Sequence, residues 1–510
     1  MLEAHVKSRV VKEFEKIVGS GFVSTNEADL YIYSQDMTQA DPSWPDVVVI
    51  PKSVDEVQAI IGLANKEKIP VTPYVSGGNI GGLAIPLKGG ILLDLKRMSR
   101  IVEVSDIDMY AVIEPGVTFG HIKAYLEKHH PNLIYTYAFS PPSTSVMANA
   151  LLQGLDNLSS RYGAASHWVS GLEVVLPTGE LVRIGSSAVS NSWQERVPFP
   201  DLAGLFLGWQ GTTGVVTKMA VSLWPKPKHA TQVSLLLMDL ESAYESLRAI
   251  SRTRIPDDVI GVSFAFERIV KAAGEHKKVA AYPARATSPG DPEFIVSAEI
   301  SGNTENELRA KIEVIEEVVH STLKDGKFEG PQTWPSTTAY YPMQVLDVLS
   351  SGGGLTWVGT YGPMSNWLET VKQGCALQDK HGFNRSCYTR VMREGHFAAL
   401  RWLLPFNKED PEYVQKIREL CADQLEMVLK TGYIPYKTPV WAIRKLEERA
   451  DPDWVNLHRR VKAMLDPNNI MNPGRWGAPQ ESPVRSAGYC QKFHEKKLWN
   501  MSKRKGNPPP

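Results

Sequence analysis

Cysteine is scarce in this sequence. Four occur in 510 residues, at Cys375, Cys387, Cys421 and Cys490. No two stand at Cys-x-x-Cys spacing and no histidine pair completes a zinc pattern, so neither a disulfide scaffold nor a metal site is expected. A surplus of charge is also missing, because 56 Lys plus Arg balance 56 Asp plus Glu. Phosphate binding needs basic excess, which excludes a dedicated nucleic-acid binder. There is no run of 18 apolar residues, so no membrane span is expected. The first residues, Met1 to Ser8, lack the apolar stretch of a signal peptide, and cytoplasm is the expected compartment. What remains, with 43% hydrophobic and 22% charged residues, is the composition of an ordinary globular protein.

The pattern along the chain is a β–α rhythm. Asp46–Pro51 reads as a short buried strand, and Ser53 as the cap of a helix over Val54–Lys66. Pro70–Val75 and Ile91–Leu95 read as further strands. Between them lies a glycine-rich turn, Ser76-Gly77-Gly78-Asn79-Ile80-Gly81-Gly82. A dinucleotide fingerprint of the Rossmann type would lead straight into a helix. Here Leu83-Ala84-Ile85-Pro86 and another strand follow, which argues against that reading. Two readings stay open: a plain hairpin loop, or a nest of backbone N–H groups that binds an anion such as a pyrophosphate.

Strands are also predicted at 101–104, 110–113, 169–175 and 181–184, with Pro177-Thr178-Gly179 as a hairpin turn and Thr118 as the cap of a helix over 119–129. Gly211–Lys218 opens another strand. After Pro225-Lys226-Pro227 a second region begins, with strands at 231–237 and 293–300 and helices at 306–321 and 411–430. A helix over 453–465 ends at Asp466-Pro467-Asn468-Asn469, before Asn472-Pro473-Gly474.

The order of the glycine loop, the strand ending in Asp94, Glu114-Pro115-Gly116-Val117-Thr118, the small-residue stretch with Asn149, 171–183, 211–218 and 466–477 resembles the vanillyl-alcohol oxidase / p-cresol methylhydroxylase family of flavoproteins. The resemblance covers about residues 45–227 and the closing segment to 477. It implies an α+β fold: a two-subdomain FAD-binding domain from residues 1–229, a cap domain on an antiparallel sheet at 230–450, and a return segment at 451–510 with a basic C-terminal tail. Ser76 to Gly82 would hold the FAD pyrophosphate. The segment around Ala148 and Asn149, together with Gly211, Thr213, Gly214 and Val216, would bind flavin largely through backbone groups. Asn472 and Arg475 would sit where the chain returns to the flavin.

Within the family, the cap is similar to the 4-alkylphenol-oxidising branch. Residues 351–357, then Tyr361-Gly362-Pro363, fall at its glycine-rich strand. Arg393-Glu394-Gly395-His396 is similar to its Arg-Glu-x-His segment, and Tyr436-Lys437-Thr438 to its Tyr-Arg-Thr. This implies oxidation of a small para-substituted phenol or aromatic alcohol by hydride transfer to flavin N5. Tyr436 and Lys437 would orient the substrate and stabilise a phenolate, and His396 would handle a proton. Arg393 and Arg401 could bind an anionic substrate, or, as bland alternatives, lie solvated on a helix surface. Trp357 is a candidate pocket wall.

Several positions depart from the family pattern. The cap residue that tethers flavin covalently aligns with Gly354, which cannot form a bond, and no histidine occurs in the 70–86 region; non-covalent FAD is therefore expected. The pocket aspartate of vanillyl-alcohol oxidase falls near Ser140, and its two pocket tyrosines fall near Gly81 and Ser159, with Tyr135, Tyr137 and Tyr162 close enough to compensate. A second branch, the D-lactate and glycolate dehydrogenases, shares the flavin domain but carries a His-rich metal run that is missing here. It stands as the alternative, with electrons passed to a protein carrier. A non-enzyme alternative is a flavin-domain scaffold or electron-transfer subunit. The implied partners are a cytochrome, an electron-transfer flavoprotein or O2, and a homodimer. The tail from Lys492 to Lys505 would suit an acidic redox partner.

Overall fold

The computed structural model describes residues 4–274, 287–323, 328–335, 348–349 and 352–477. The basic tail, Cys490 and Ser351 lie outside them. The fold is α+β and its strands form three main sheets. In the first, Val47–Val49, Ile91–Asp94 and Val71–Tyr74 run parallel, with Val23–Ser24 antiparallel at one edge. Val47–Val49 and Ile91–Asp94 are buried throughout, which is why they read as apolar runs, the second closed by Asp94. The helix Val54–Glu67 connects Val47–Val49 to Val71–Tyr74, and Ser53 Oγ accepts from the Glu56 N–H at its start. Its Val57, Ile60, Ile61 and Ala64 fill the core below.

The end of the described chain completes this unit. Met471 forms a parallel bridge to Val71, the Val71 N–H donates to Ile470 O at 2.7 Å, and the Asn472 N–H to Val71 O at 2.7 Å. Lys462, on the helix Pro452–Leu465, is buried there with its Nζ on Asp466, Thr212 O and Met471 O. A buried ammonium is tolerated because each of its three hydrogens has an acceptor.

The second sheet is antiparallel. Its order is Ile101–Ser105, Tyr110–Ile113, Val215–Ser222, Val169–Val175, Leu181–Gly185. The last two strands form the predicted hairpin through Gly179 at φ +93°. Helix Phe119–His129 carries the expected cap, Thr118 Oγ1 accepting from the His121 N–H.

The third sheet has eight antiparallel strands in the order Phe328–Pro335, His229–Leu237, Phe294–Gly302, Asp258–Ser263, Cys387–Met392, Phe397–Asn407, Gly353–Gly362, Ile434–Pro435. Side chains alternate across a strand. Val391, Leu400, Trp402, Leu404 and Phe406 therefore point into one core, shared with helices Leu240–Arg252, Glu305–Thr322, Trp367–Lys380 and Pro411–Lys430. Tyr388, Met392, Ala399 and Leu403 point the other way and gather with Leu155 and Tyr436 in a separate cluster.

Trp367 anchors the helix-side core. It is fully buried, meets Phe294 edge-on at 5.7 Å, and donates from Nε1 to Thr389 Oγ1 at 2.9 Å. Trp367→Ala leaves a cavity and takes one donor from the Thr389 hydroxyl, which still donates to Ala399 O, and should destabilise by about 3–5 kcal/mol. The check is the chemical-denaturation midpoint; a loss within about 1 kcal/mol would show that this core does not hold the sheet.

Candidate active site

The strands flanking the glycine loop are parallel, Val71–Tyr74 to Ile91–Asp94, so the loop is not a hairpin. It divides into two halves. Gly81 and Gly82 are structurally committed, at φ +75° and +77°. A Cβ on Gly81 would lie 2.8 Å from Pro439 Cα, and one on Gly82 2.9 Å from a Val440 methyl. The Val440 N–H donates to Gly81 O at 2.9 Å, and the Gly82 N–H to Asp36 Oδ2 at 2.8 Å. In the first half, Gly77 at φ +65° closes on Tyr74, whose Oη a Cβ there would meet at 1.9 Å, while Gly78 is open, with nothing within 4 Å of a built Cβ. Among the described residues, the N–H groups of Gly77, Gly78 and Asn79 meet no acceptor. Unspent donors in a glycine turn are what a pyrophosphate requires, so the residues present fit the predicted anion.

Arg475 is buried beneath this loop. Its Nη2 donates to Gly82 O and Ile85 O at 3.0 and 2.9 Å, while Nε and Nη1 have no partner. Burial pushes its guanidinium down to about 9. Asn472 ties the return segment to the next turn, donating from Nδ2 to Gln210 O at 2.6 Å. Gly211 lies beside it at φ +71°. A Cβ on Gly214 would lie 2.9 Å from Val175 O, so that glycine serves strand packing. Thr213 and Val216 are buried, Val216 paired with Val174. Around Ala148 and Asn149 the picture departs from the expectation. Both N–H groups are spent on the helix start, on Ser145 Oγ and Ser145 O, so it is the Asn149 side chain that is available to the site.

That side chain meets the open face of the eight-stranded sheet. Asn149 Oδ1 accepts from Lys437 Nζ at 2.9 Å, and its Nδ2 donates to Asp156 Oδ1 at 2.8 Å. Lys437 takes φ +46°, an uncommon conformation for a residue with a side chain. Burial first, and the Arg401 charge second, push its ammonium down to about 7. Burial pushes the Asp156 carboxyl up to about 7, against the pull of Arg390 and Lys437. Asp156 Oδ2 is buried without a partner. Beside this bridge, Arg401 Nε donates to Tyr436 Oη at 2.6 Å. Tyr436 stacks on Tyr361 with centroids 4.3 Å apart, and the Arg401 guanidinium lies 5.5 Å from the Trp357 ring. Gly359 makes room, since a Cβ there would lie 3.0 Å from the Tyr436 ring. Phe139 and Tyr388 stack at 5.5 Å along the same lining. A cleft of about 610 Å³ reaches Tyr436, Lys437 and Thr438, and is lined elsewhere by Trp209, Trp454, His458 and Trp476.

The structure thus brings Tyr436, Lys437 and Asn149 together and places Trp357 with them. It does not bring His396 in: that residue is exposed, with Nδ1 on Arg393 O. Arg393 is exposed too. Arg401 corrects the helix-surface alternative, because it is a buried strand residue, 6% exposed. Tyr135 and Tyr162 are engaged with Trp168 and Trp224. At Gly354 a Cβ would lie 2.5 Å from Phe406 O, so a side chain of any kind is sterically refused there. Two residues that sequence reasoning missed are central, Asp156 and Arg390. The signal for Arg390 was a lone cation inside an otherwise apolar strand; Asp156, in a loop, carried none.

Comparison with known proteins agrees with this geometry. A family described as FAD binding domain matches residues 45–185, and one described as FAD linked oxidases, C-terminal domain, matches 440–476. The chain is 26% identical over 515 residues to the 4-cresol dehydrogenase [hydroxylating] flavoprotein subunit of Pseudomonas putida, covering 92% of this chain and 95% of that one. It is 30% identical over 481 residues to an uncharacterized FAD-linked oxidoreductase of Mycobacterium tuberculosis, covering 92% and 98%. It shares its fold with the crystal structure of p-cresol methylhydroxylase with substrate bound, at a TM-score of 0.83 and 22% identity, over 94% of this chain and 99% of the other. An open glycine nest, a return segment knitted to it and a buried polar site under an antiparallel cap sheet therefore belong to one known architecture, and the chain is a member of the vanillyl-alcohol oxidase / p-cresol methylhydroxylase family of FAD-linked oxidoreductases, with FAD as its cofactor.

Proposed function

We propose that this oxidoreductase acts on a small para-substituted phenol or aromatic alcohol. One observation carries the reading. Tyr436 Oη accepts from Arg401 Nε, which leaves the tyrosine's own proton without an acceptor among the described residues and free for a ligand oxygen. A phenol oxygen placed there would meet a hydroxyl donor backed by a buried cation, and both favour its ionised form. Trp357, Tyr361 and Tyr388 supply flat apolar walls for the ring. FAD, when bound, supplies a hydride acceptor at N5; the residues that would hold it are Gly77, Gly78 and Asn79 for the pyrophosphate, and Asn149 and Lys437 beside the substrate. The ionised phenol pushes electrons toward its para carbon, so that the side chain gives up hydride. The product, a quinone methide, then takes up water or relaxes to a carbonyl or alkene.

Asp156 is the proton acceptor at hand. Its unpartnered oxygen lies within electrostatic reach of Tyr436 and Tyr361. It becomes a base as pH rises through about 7, and the Asn149 bridge makes it titrate together with Lys437. Anaerobic bleaching of the flavin by 4-ethylphenol should therefore speed up as pH rises through about 7. Asp156→Asn should flatten that limb and slow bleaching roughly 10²-fold; an unaltered profile would remove the residue from the mechanism. Tyr436→Phe removes the donor to the phenol oxygen and should weaken phenol binding about tenfold, a cost of about 1.4 kcal/mol, read from the concentration dependence of bleaching. No change in that dependence would sink the phenol reading.

The cofactor is held without a covalent bond in this proposal. The steric refusal of a side chain at Gly354 supports it. Acid precipitation should give a colourless pellet and a yellow supernatant. A yellow pellet would overturn it.

A further inference from the structure

We propose that Arg390 is a specificity-determining anion site, and that the substrate carries a carboxylate as well as a phenol. The inference rests on the phenol reading above and adds the substrate's other end. Arg390 lies mid-strand in Cys387–Met392 and is 2% exposed. Tyr388 pairs with Arg401, and Arg390 with Ala399. Arg390 and Arg401 are therefore diagonal neighbours on the open face of the sheet, with a small residue opposite Arg390. Arg390 acts electrostatically on Asp156, Tyr361, Tyr388 and Tyr436, which places its charge in the same site.

Its own hydrogen bonds are incomplete. Nη2 donates to Asp258 Oδ2 at 2.7 Å, while Nε and Nη1 are buried with no partner. Asp258 is occupied elsewhere as well, since its Oδ1 accepts from Ser160 Oγ at 3.0 Å. Arg401, for its part, is directed to Tyr436. Among the described residues Arg390 alone pairs with Asp258, and its buried donors without acceptors are costly. Tyr388 Oη and Ser140 Oγ are also buried without partners; Ser140 follows Phe139, which stacks on Tyr388. Several unmet polar groups on an otherwise apolar lining mark where a ligand's polar end sits. A carboxylate suits them: it brings one negative charge and lone pairs for planar N–H donors. Diagonal neighbours on a sheet stand roughly 7–8 Å apart, about the length of a phenol ring bearing a short acid.

The test uses the purified holoenzyme under anaerobic conditions and reads dissociation constants from the flavin spectrum. The probes are 4-hydroxyphenylacetate, 4-ethylphenol and phenylacetate. The wild type should bind 4-hydroxyphenylacetate at least about tenfold tighter than 4-ethylphenol. The double variant Arg390→Met/Asp258→Asn, which strands no lone charge, should lose that preference. Arg390→Lys keeps the charge and should retain part of it, and so serves where the double variant does not fold. Equal affinities in the wild type, or a preference that survives loss of the Arg390 charge, would overturn the inference. The two readings separate cleanly. If 4-ethylphenol bleaches the flavin and the acid has no advantage, the anion site falls and the phenol reading stands. If the two acids bind alike and 4-ethylphenol does nothing, the phenol reading falls and the anion site stands. If none of the three perturbs the spectrum, both fall.

Discussion

A single amide joins the two halves of the active site. Asn149 faces Lys437 with its oxygen and Asp156 with its nitrogen, and an amide can serve a cation and an anion at once only in that orientation. Lys437 follows the sheet's last strand, whereas Asn149 and Asp156 belong to the chain before the hairpin at the edge of the second sheet. The bridge therefore ties the end of the eight-stranded sheet to the segment that carries Asn149 and Asp156. Other contacts across the boundary reinforce it: Gln210 Nε2 on Thr438 O, Tyr361 Oη on Gln153 O, and Val440 N–H on Gly81 O. Three of the four meet the cap within residues 437–440. A short segment that begins at Tyr436 thus ends by packing on the glycine loop, and the two regions become mechanically continuous.

Legibility in the sequence followed the range of the interaction. Elements set by local chemistry were readable. The buried strands at 47–49 and 91–94 carry the apolar runs Val47–Val49 and Ile91 to Leu93, and Ser53 and Thr118 cap the helices they precede. The glycine loop was readable as special but not as divided. Gly81 and Gly82 are required by Pro439 and Val440, some 360 residues away in sequence, and no local pattern carries that. Tyr436 and Lys437 were reached through resemblance. His396 came by the same route and lies at the surface, because the short turn Arg393–Gly395 aims it outward.

The open face of the cap sheet was the largest gap. In Cys387–Met392 and Phe397–Asn407 every residue except Phe397 and Asn407 is buried. Both faces of these strands are covered, one by helices and one by the site, so the usual alternation of apolar and polar residues is erased. Only the interrupting cations, Arg390 and Arg401, reveal which face is functional. An arginine amid apolar strand residues is costly to bury, and here that cost marks the site.

The lysine at 437, where the branch carries arginine, makes physical sense in this setting. Arg401 and Arg390 already supply permanent positive charge. A third guanidinium could not shed its proton, whereas an ammonium can. The depressed value of Lys437 means that the unfolded chain binds more protons between about 7 and the ordinary lysine range, so its contribution to stability grows as pH rises through that window. Asp156 is raised, and between the ordinary carboxylate range and about 7 its contribution falls as pH rises. The two windows meet near neutrality, where the pair is at its least stabilising and its proton most easily moved. Two groups held this far from their ordinary values lower folding stability near neutrality. The apolar core beneath the sheet, built around Trp367 and Trp402, provides the stability against which that strain is held.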